Sequence, residues 1–164
     1  MNGRQKLTHL MVTVALVTAM VATAAGTASA GGAVVTDGEF STFAAGGAAG
    51  YDIGGHATMV RNSNKTRVTI HVTGLVPGES YVSHVHNQAC DDGDAGGHFK
   101  QDAAGVSVPP NEIWPGNGAF SPNAAGIANE KATVPYFANS DARSVVVHWK
   151  TSNGAPKVAC ADLG

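Results

Sequence analysis

The clearest alternation of apolar and polar positions runs from Arg67 to Val72: Val68, Ile70 and Val72 take one side, Arg67, Thr69 and His71 the other. That period of two is the mark of a half-buried strand and leaves His71 on the solvent side. Ala57–Val60 is a second short apolar run, and Asn62-Ser63-Asn64-Lys65 between them is turn chemistry, so a hairpin is predicted. Val76-Pro77-Gly78-Glu79 reads as another turn. Beyond it Tyr81–His86 alternates again, with His84 and His86 on one face and Val85 on the other. From Asn87 to Asn129 the chain is heavy in Gly, Pro, Asn and Asp with no sustained helical period, which predicts loops around a short strand at Ile113-Trp114. Ala132–Val134 and Ser144–Trp149 supply the last strands, and residues 31–50, rich in Gly and Ala, read as a flexible arm. Short strands, frequent turns and no good amphipathic helix predict an all-β fold, a Greek-key barrel or sandwich of the immunoglobulin-like kind with long loops.

The N-terminal 30 residues stand apart. Arg4 and Lys6 precede an apolar run from Leu10 to about Ala25, and Ala28-Ser29-Ala30 is an A-x-A cleavage site. The run is short, contains threonines and lacks a charged flank on its far side, so residues 1–30 are expected to be a signal peptide cut after Ala30. The product, residues 31–164, has the length of one domain and is expected to be secreted or held at the cell envelope, with no membrane segment.

Without Arg4 and Lys6, eight basic residues face twelve acidic ones. That balance argues against nucleic acid as a partner and gives no general attraction for anions, which would have to be steered locally. The two cysteines, Cys90 and Cys160, are expected to pair in an oxidising compartment, closing a loop whose constraint is worth roughly 4 kcal/mol.

His84 and His86, two apart on a strand, project their rings the same way about 7 Å apart, close enough to clasp one metal ion. His98 follows a Gly-rich loop and His148 ends the Ser144–Val147 run, so four imidazoles can converge, a donor set that suits Cu(II). His56, beside two glycines, has no role assigned by pattern alone. Trp114 and Trp149 read as packing residues.

HVH at His84–His86, Cys90, AGGHF ending at Phe99, ARSVVVH ending at His148, and KVAC ending at Cys160 stand in the order found in the copper/zinc superoxide dismutases, and the sequence resembles that family from about Val68 to Gly164. The resemblance implies a Greek-key barrel, a Cys90–Cys160 disulfide, copper ligands at His84, His86, His98 and His148, and superoxide as substrate. It also implies catalytic parts for His98, as the ligand that moves, and for Lys157, which stands where the family has an anion-guiding arginine. Arg143 falls in the family-like turn before the last ligand strand, a structural position.

No histidine occurs between Phe99 and Val147, so the family's zinc ligands are missing and the chain is similar to a copper-only branch. The ring nitrogen of His98 that would have met zinc then needs another partner, with Glu112 the candidate and Asp102 its rival. Lysine keeps the positive charge at position 157 but loses the arginine fork, and Ser83 replaces the family's glycine before His84. The alternative to a dismutase is a copper carrier or buffer on the same fold, without useful turnover.

Overall fold

The computed structural model describes residues 32–151 and 154–164; the signal peptide expected over 1–30 lies outside them. Among the described residues the strands are β1 (Val34–Thr42), β2 (Gly54–Asn62), β3 (Lys65–Thr73), β4 (Tyr81–His86), β5 (Ala128–Val134), β6 (Ser144–Trp149) and β7 (Lys157–Asp162), with one five-residue helix, α1 (Ala44–Ala48). They pair antiparallel in the order β4-β6-β7-β1-β2-β3-β5. The β2–β3 hairpin turns on Ser63-Asn64, with Asn62 opposite Lys65, as the turn residues predict. The connections from β3 to β4 and from β5 to β6, and the long one from β4 to β5 over residues 87–127, carry the chain between the two halves and give the Greek-key character.

The alternation along each strand explains how the sheet curls. Ala57 and Met59 of β2 and Val68, Ile70 and Val72 of β3 join Val85 of β4, Val145 and Val147 of β6, and Val158, Ala159 and Ala161 of β7 in one buried cluster. Residues of both halves can share a core only if the sheet wraps over it, so the outward-facing positions form an exterior. The all-β expectation holds. Among the described residues no helix is long and apolar enough to cross a membrane.

Two sequence expectations fail. The first is the flexible arm at 31–50: its residues 34–42 are β1, which joins the halves by pairing with β2 through residues 34–39 and with β7 through residues 40–42. Only Phe40 of this strand is buried, so β1 is held by backbone pairing on both sides rather than by an apolar stripe. Gly38 looks like a mark of flexibility, yet a Cβ there would lie 1.7 Å from the Asp162 carbonyl oxygen. The second failure is the strand at Ile113-Trp114. The segment runs beside β4, where Val85 N–H donates to Ile113 O at 3.0 Å, but no ladder forms. β7, which no pattern separated from its surroundings, completes the sheet.

Gly38→Ala is therefore expected to lower the unfolding free energy by about 2 kcal/mol or more, because backbone must move to admit one methyl group. Denaturant titration checks this; a loss below about 0.5 kcal/mol, the scale of an ordinary surface substitution, would contradict the close approach of β1 and β7.

Candidate metal centre

Strand β4 builds half of the site by its period of two. Val85 is fully buried in the core, and His84 and His86 leave the opposite face. Strand β6 lies beside it with Val82 opposite His148 and His84 opposite Val146, so His148 shares the histidine face one register step away. A register shift between β6 and β7 at Val147/His148 lets Lys157 stand opposite His148. Bulges commonly re-aim side chains next to functional sites.

The fourth ring comes from a loop fastened to the free edge of β4. Asn87 N–H donates to Gly97 O at 3.0 Å and Phe99 N–H to Val85 O at 2.8 Å, while the Phe99 ring is buried in the core. These contacts set His98 beside His86. On the outer side of His98, the buried Glu112 accepts from His98 Nδ1–H at 2.8 Å and from Trp114 Nε1–H at 2.7 Å, both on Oε2. Ser83, where the resemblance led one to expect glycine, uses its buried hydroxyl to donate to Pro115 O at 2.8 Å and so anchors this segment.

His84, His86, His98 and His148 bring one ring nitrogen each to within 4.8 Å of one another. The hydrogen bonds say which nitrogens these are. His86 Nδ1–H donates to Ala95 O at 3.2 Å and His148 Nδ1–H to Ala155 O at 2.9 Å; carbonyls only accept, so in the neutral rings both Nε2 atoms are bare. Those two Nε2 atoms stand 3.3 Å apart. His98, held at Nδ1 by Glu112, likewise offers Nε2. His84 Nδ1 is buried and without a partner. Ring nitrogens gathered this closely, with an orphaned buried nitrogen among them, could hold a metal ion.

Burial and mutual repulsion disfavour the charged forms of His84, His86 and His148. Burial, followed by the charges that His98, His148 and His86 would carry, pushes His84 down to about 3. Burial, then His148, His98 and Lys157, does the same to His86, also to about 3. His148 is lowered by burial as well.

The loop that supplies Ala95 O is stiffly held. Gly93, Asp94, Ala95 and Gly96 all have positive φ, between 53° and 62°. The Lys157 ammonium donates to Asp94 O and, at 2.9 Å, to Gly96 O, and lies 3.5 Å from the Asp94 carboxylate. The Cys90–Cys160 disulfide ties the loop's start to β7, and Cys90 N–H donates to Asp162 Oδ1 at 2.7 Å.

The candidates from sequence thus separate cleanly. The four histidines and Glu112 come together, and Lys157 stands at the rim. Asp102 does not reach His98; its carboxylate accepts from Ala104 N–H at 3.0 Å within its own exposed loop. Arg143 is exposed and serves through its backbone, with N–H donating to His86 O and C=O accepting from Leu163 N–H. Trp149 packs edge-on against Tyr51, as expected. Trp114 does more than pack: its ring edge faces His84, with centroids 5.0 Å apart, and its N–H holds Glu112. Its position two residues after Glu112 was the available signal.

No protein-family model matches the sequence, and no curated protein is significantly similar to it. Among solved structures the chain is similar to the crystal structure of a double mutant of a SOD-like protein from Bacillus subtilis, with 16% identity and a TM-score of 0.47, over 77% of this chain and 95% of that one.

The low His84 and His86 values carry a consequence for the metal-free protein. An unfolded chain protonates its histidines near 6.5, whereas these two stay neutral in the fold until about 3. Between those values the unfolded state binds more protons, so stability is full above about pH 6.5 and declines as pH falls toward about 3. Denaturant midpoints of the metal-free protein are expected to fall from about pH 7 to about pH 4, with a shallower slope in His84→Ala; equal slopes would refute the assignment.

Proposed function

We propose that this chain is a secreted copper-dependent superoxide dismutase-like protein, converting superoxide to O2 and hydrogen peroxide. The observation that carries the reading is the convergence of four ring nitrogens: Nε2 of His86, His98 and His148, bared by the hydrogen bonds at Nδ1, and one from His84, whose buried Nδ1 has no partner. An all-imidazole set with no carboxylate donor suits Cu(II), which also heads the divalent affinity order. When bound, copper supplies the alternating one-electron oxidation and reduction of two superoxide ions. The outer edge of His98 meets Glu112 rather than another metal, in keeping with a single-metal centre. The disulfide agrees with export.

The protein's own residues then have distinct tasks. His84, His86 and His148 are buried, the last two pinned by backbone carbonyls, so they fix the metal. His98, with 32% of its side chain exposed, is the ring placed to take a proton at Nε2 from solvent and pass it to the product. Glu112 and Trp114 hold the far edge of His98 and limit how it can turn. Lys157 supplies positive charge beside the site in an otherwise acidic chain.

A copper carrier is the second reading, and one observation favours it. The Lys157 ammonium spends its donors on Asp94 O and Gly96 O and is partly neutralised by the Asp94 carboxylate, which weakens it as a guide for anions.

The copper-loaded chain is expected to dismutate superoxide at a rate abolished in His84→Ala/His86→Ala. One tightly held copper with no rate above that control would move the protein to the carrier class. Glu112→Gln is expected to weaken copper binding by about ten- to a hundredfold, since partners of ligating imidazoles typically carry that much. Competition titration against a chelator measures it, and unchanged affinity would remove Glu112 from the centre.

A further inference from the structure

The outward face of the sheet carries a second histidine arrangement that the centre above does not use. Glu39 of β1 is opposite His56 of β2, His56 is opposite His71 of β3, and His71 is opposite Asn129 of β5. Directly opposed residues share a face, so the four side chains form one row across four strands. The rings of His56 and His71 lie 5.3 Å apart with an interplanar angle of 32°. Those values nearly repeat the His86–His148 pair, at 5.5 Å and 31°, whose bare nitrogens face each other within the candidate metal centre.

The likeness extends to how a ring is held. His71 Nδ1–H donates to Asn129 Oδ1 at 2.8 Å, which leaves Nε2 with its lone pair free, the same device that Ala95 O and Ala155 O provide for His86 and His148. Both rings line an open concavity of about 400 Å³, whose wall also includes Asn129, Glu130 and Lys131.

We propose that His56 and His71 form a second, exchangeable site for a divalent transition-metal ion of the zinc or copper class, with water completing its coordination. The buried centre holds its metal from four sides; this one holds it from two and stays open to solvent. It takes ions that the medium offers and releases them readily.

The test is Zn(II) titration of three full-length proteins followed by calorimetry: the native chain, His56→Ala/His71→Ala, and His86→Ala/His148→Ala. The native chain is expected to bind two equivalents and each variant to lose a different one. If His56→Ala/His71→Ala keeps the native stoichiometry and affinities, the proposal is overturned. In His86→Ala/His148→Ala, where the buried centre no longer contributes, the ring-proton NMR signals of His56 and His71 are expected to shift together as zinc is added. Signals that stay in place would overturn the proposal whatever the buried centre proves to bind. His56 is exposed and His71 half-buried on the outer face, so both alanine variants are expected to fold.

Discussion

Two bare imidazole nitrogens held 3.3 Å apart, Nε2 of His86 and Nε2 of His148, are the constraint on which the rest of the structure turns. Neither ring can relieve the repulsion by changing tautomer without breaking a hydrogen bond to a backbone carbonyl, Ala95 O in one case and Ala155 O in the other. Such an arrangement is unfavourable when empty, and it survives because the scaffold around it is over-determined. Val85, Val145 and Val147 lock the two strands into the core from behind. The loop that presents Ala95 O is fastened by the disulfide, by Ser144 Oγ–H donating to Gln88 O, and by Lys157. Closing a loop of this length contributes roughly 4 kcal/mol, larger than the cost of about 1–3 kcal/mol for one unpartnered buried group such as His84 Nδ1.

Much of that scaffold was legible in the residues, and the exceptions have a common cause. His84 and His86 are placed by strand alternation, a local property, and the hairpin of β2 and β3 by its turn residues. The convergence of His98 and His148 on them followed from the order of short motifs. What local pattern could not give was anything fixed by backbone pairing at long range. β1 buries one large side chain and carries Gly38 because the Asp162 carbonyl lies against it, so it resembles a loose tail in composition while sitting mid-sheet. The same holds for the segment after Asn111: Val85, Ser83 and His98 draw it alongside β4 through single hydrogen bonds, and no periodicity records that.

Glu112 shows how such a segment can still carry a decisive group. Its carboxylate is almost fully buried, yet both hydrogen bonds fall on Oε2, leaving Oε1 without a partner. Burying an anion is costly unless a charge or strong donors meet it. Here the donors are a histidine ring and an indole, so the strength of the His98 contact depends on how much positive character that ring takes on. Donating a lone pair from Nε2 makes Nδ1–H more acidic and its hydrogen bond to a carboxylate stronger. The buried Glu112 is thus best satisfied when His98 is bound to a cation, which is also what the opposed nitrogens of His86 and His148 favour.

Burial, beyond the number of donors, separates the two histidine pairs. His86 and His148 have nearly the same mutual geometry as His56 and His71, but the first pair is sealed under a loop and the second stands in solvent. In the sealed pair, water cannot hydrate the bare nitrogens, so the empty state is raised in energy and any cation that fits lowers it greatly. In the open pair, water serves both nitrogens before an ion arrives, so less is gained on binding and exchange is easy. A protein surface can therefore repeat the local geometry of a metal centre without repeating its affinity. At the candidate centre, the desolvation imposed by strand β4, its neighbour β6 and the disulfide-clipped loop adds to the four-imidazole set in favouring a bound cation.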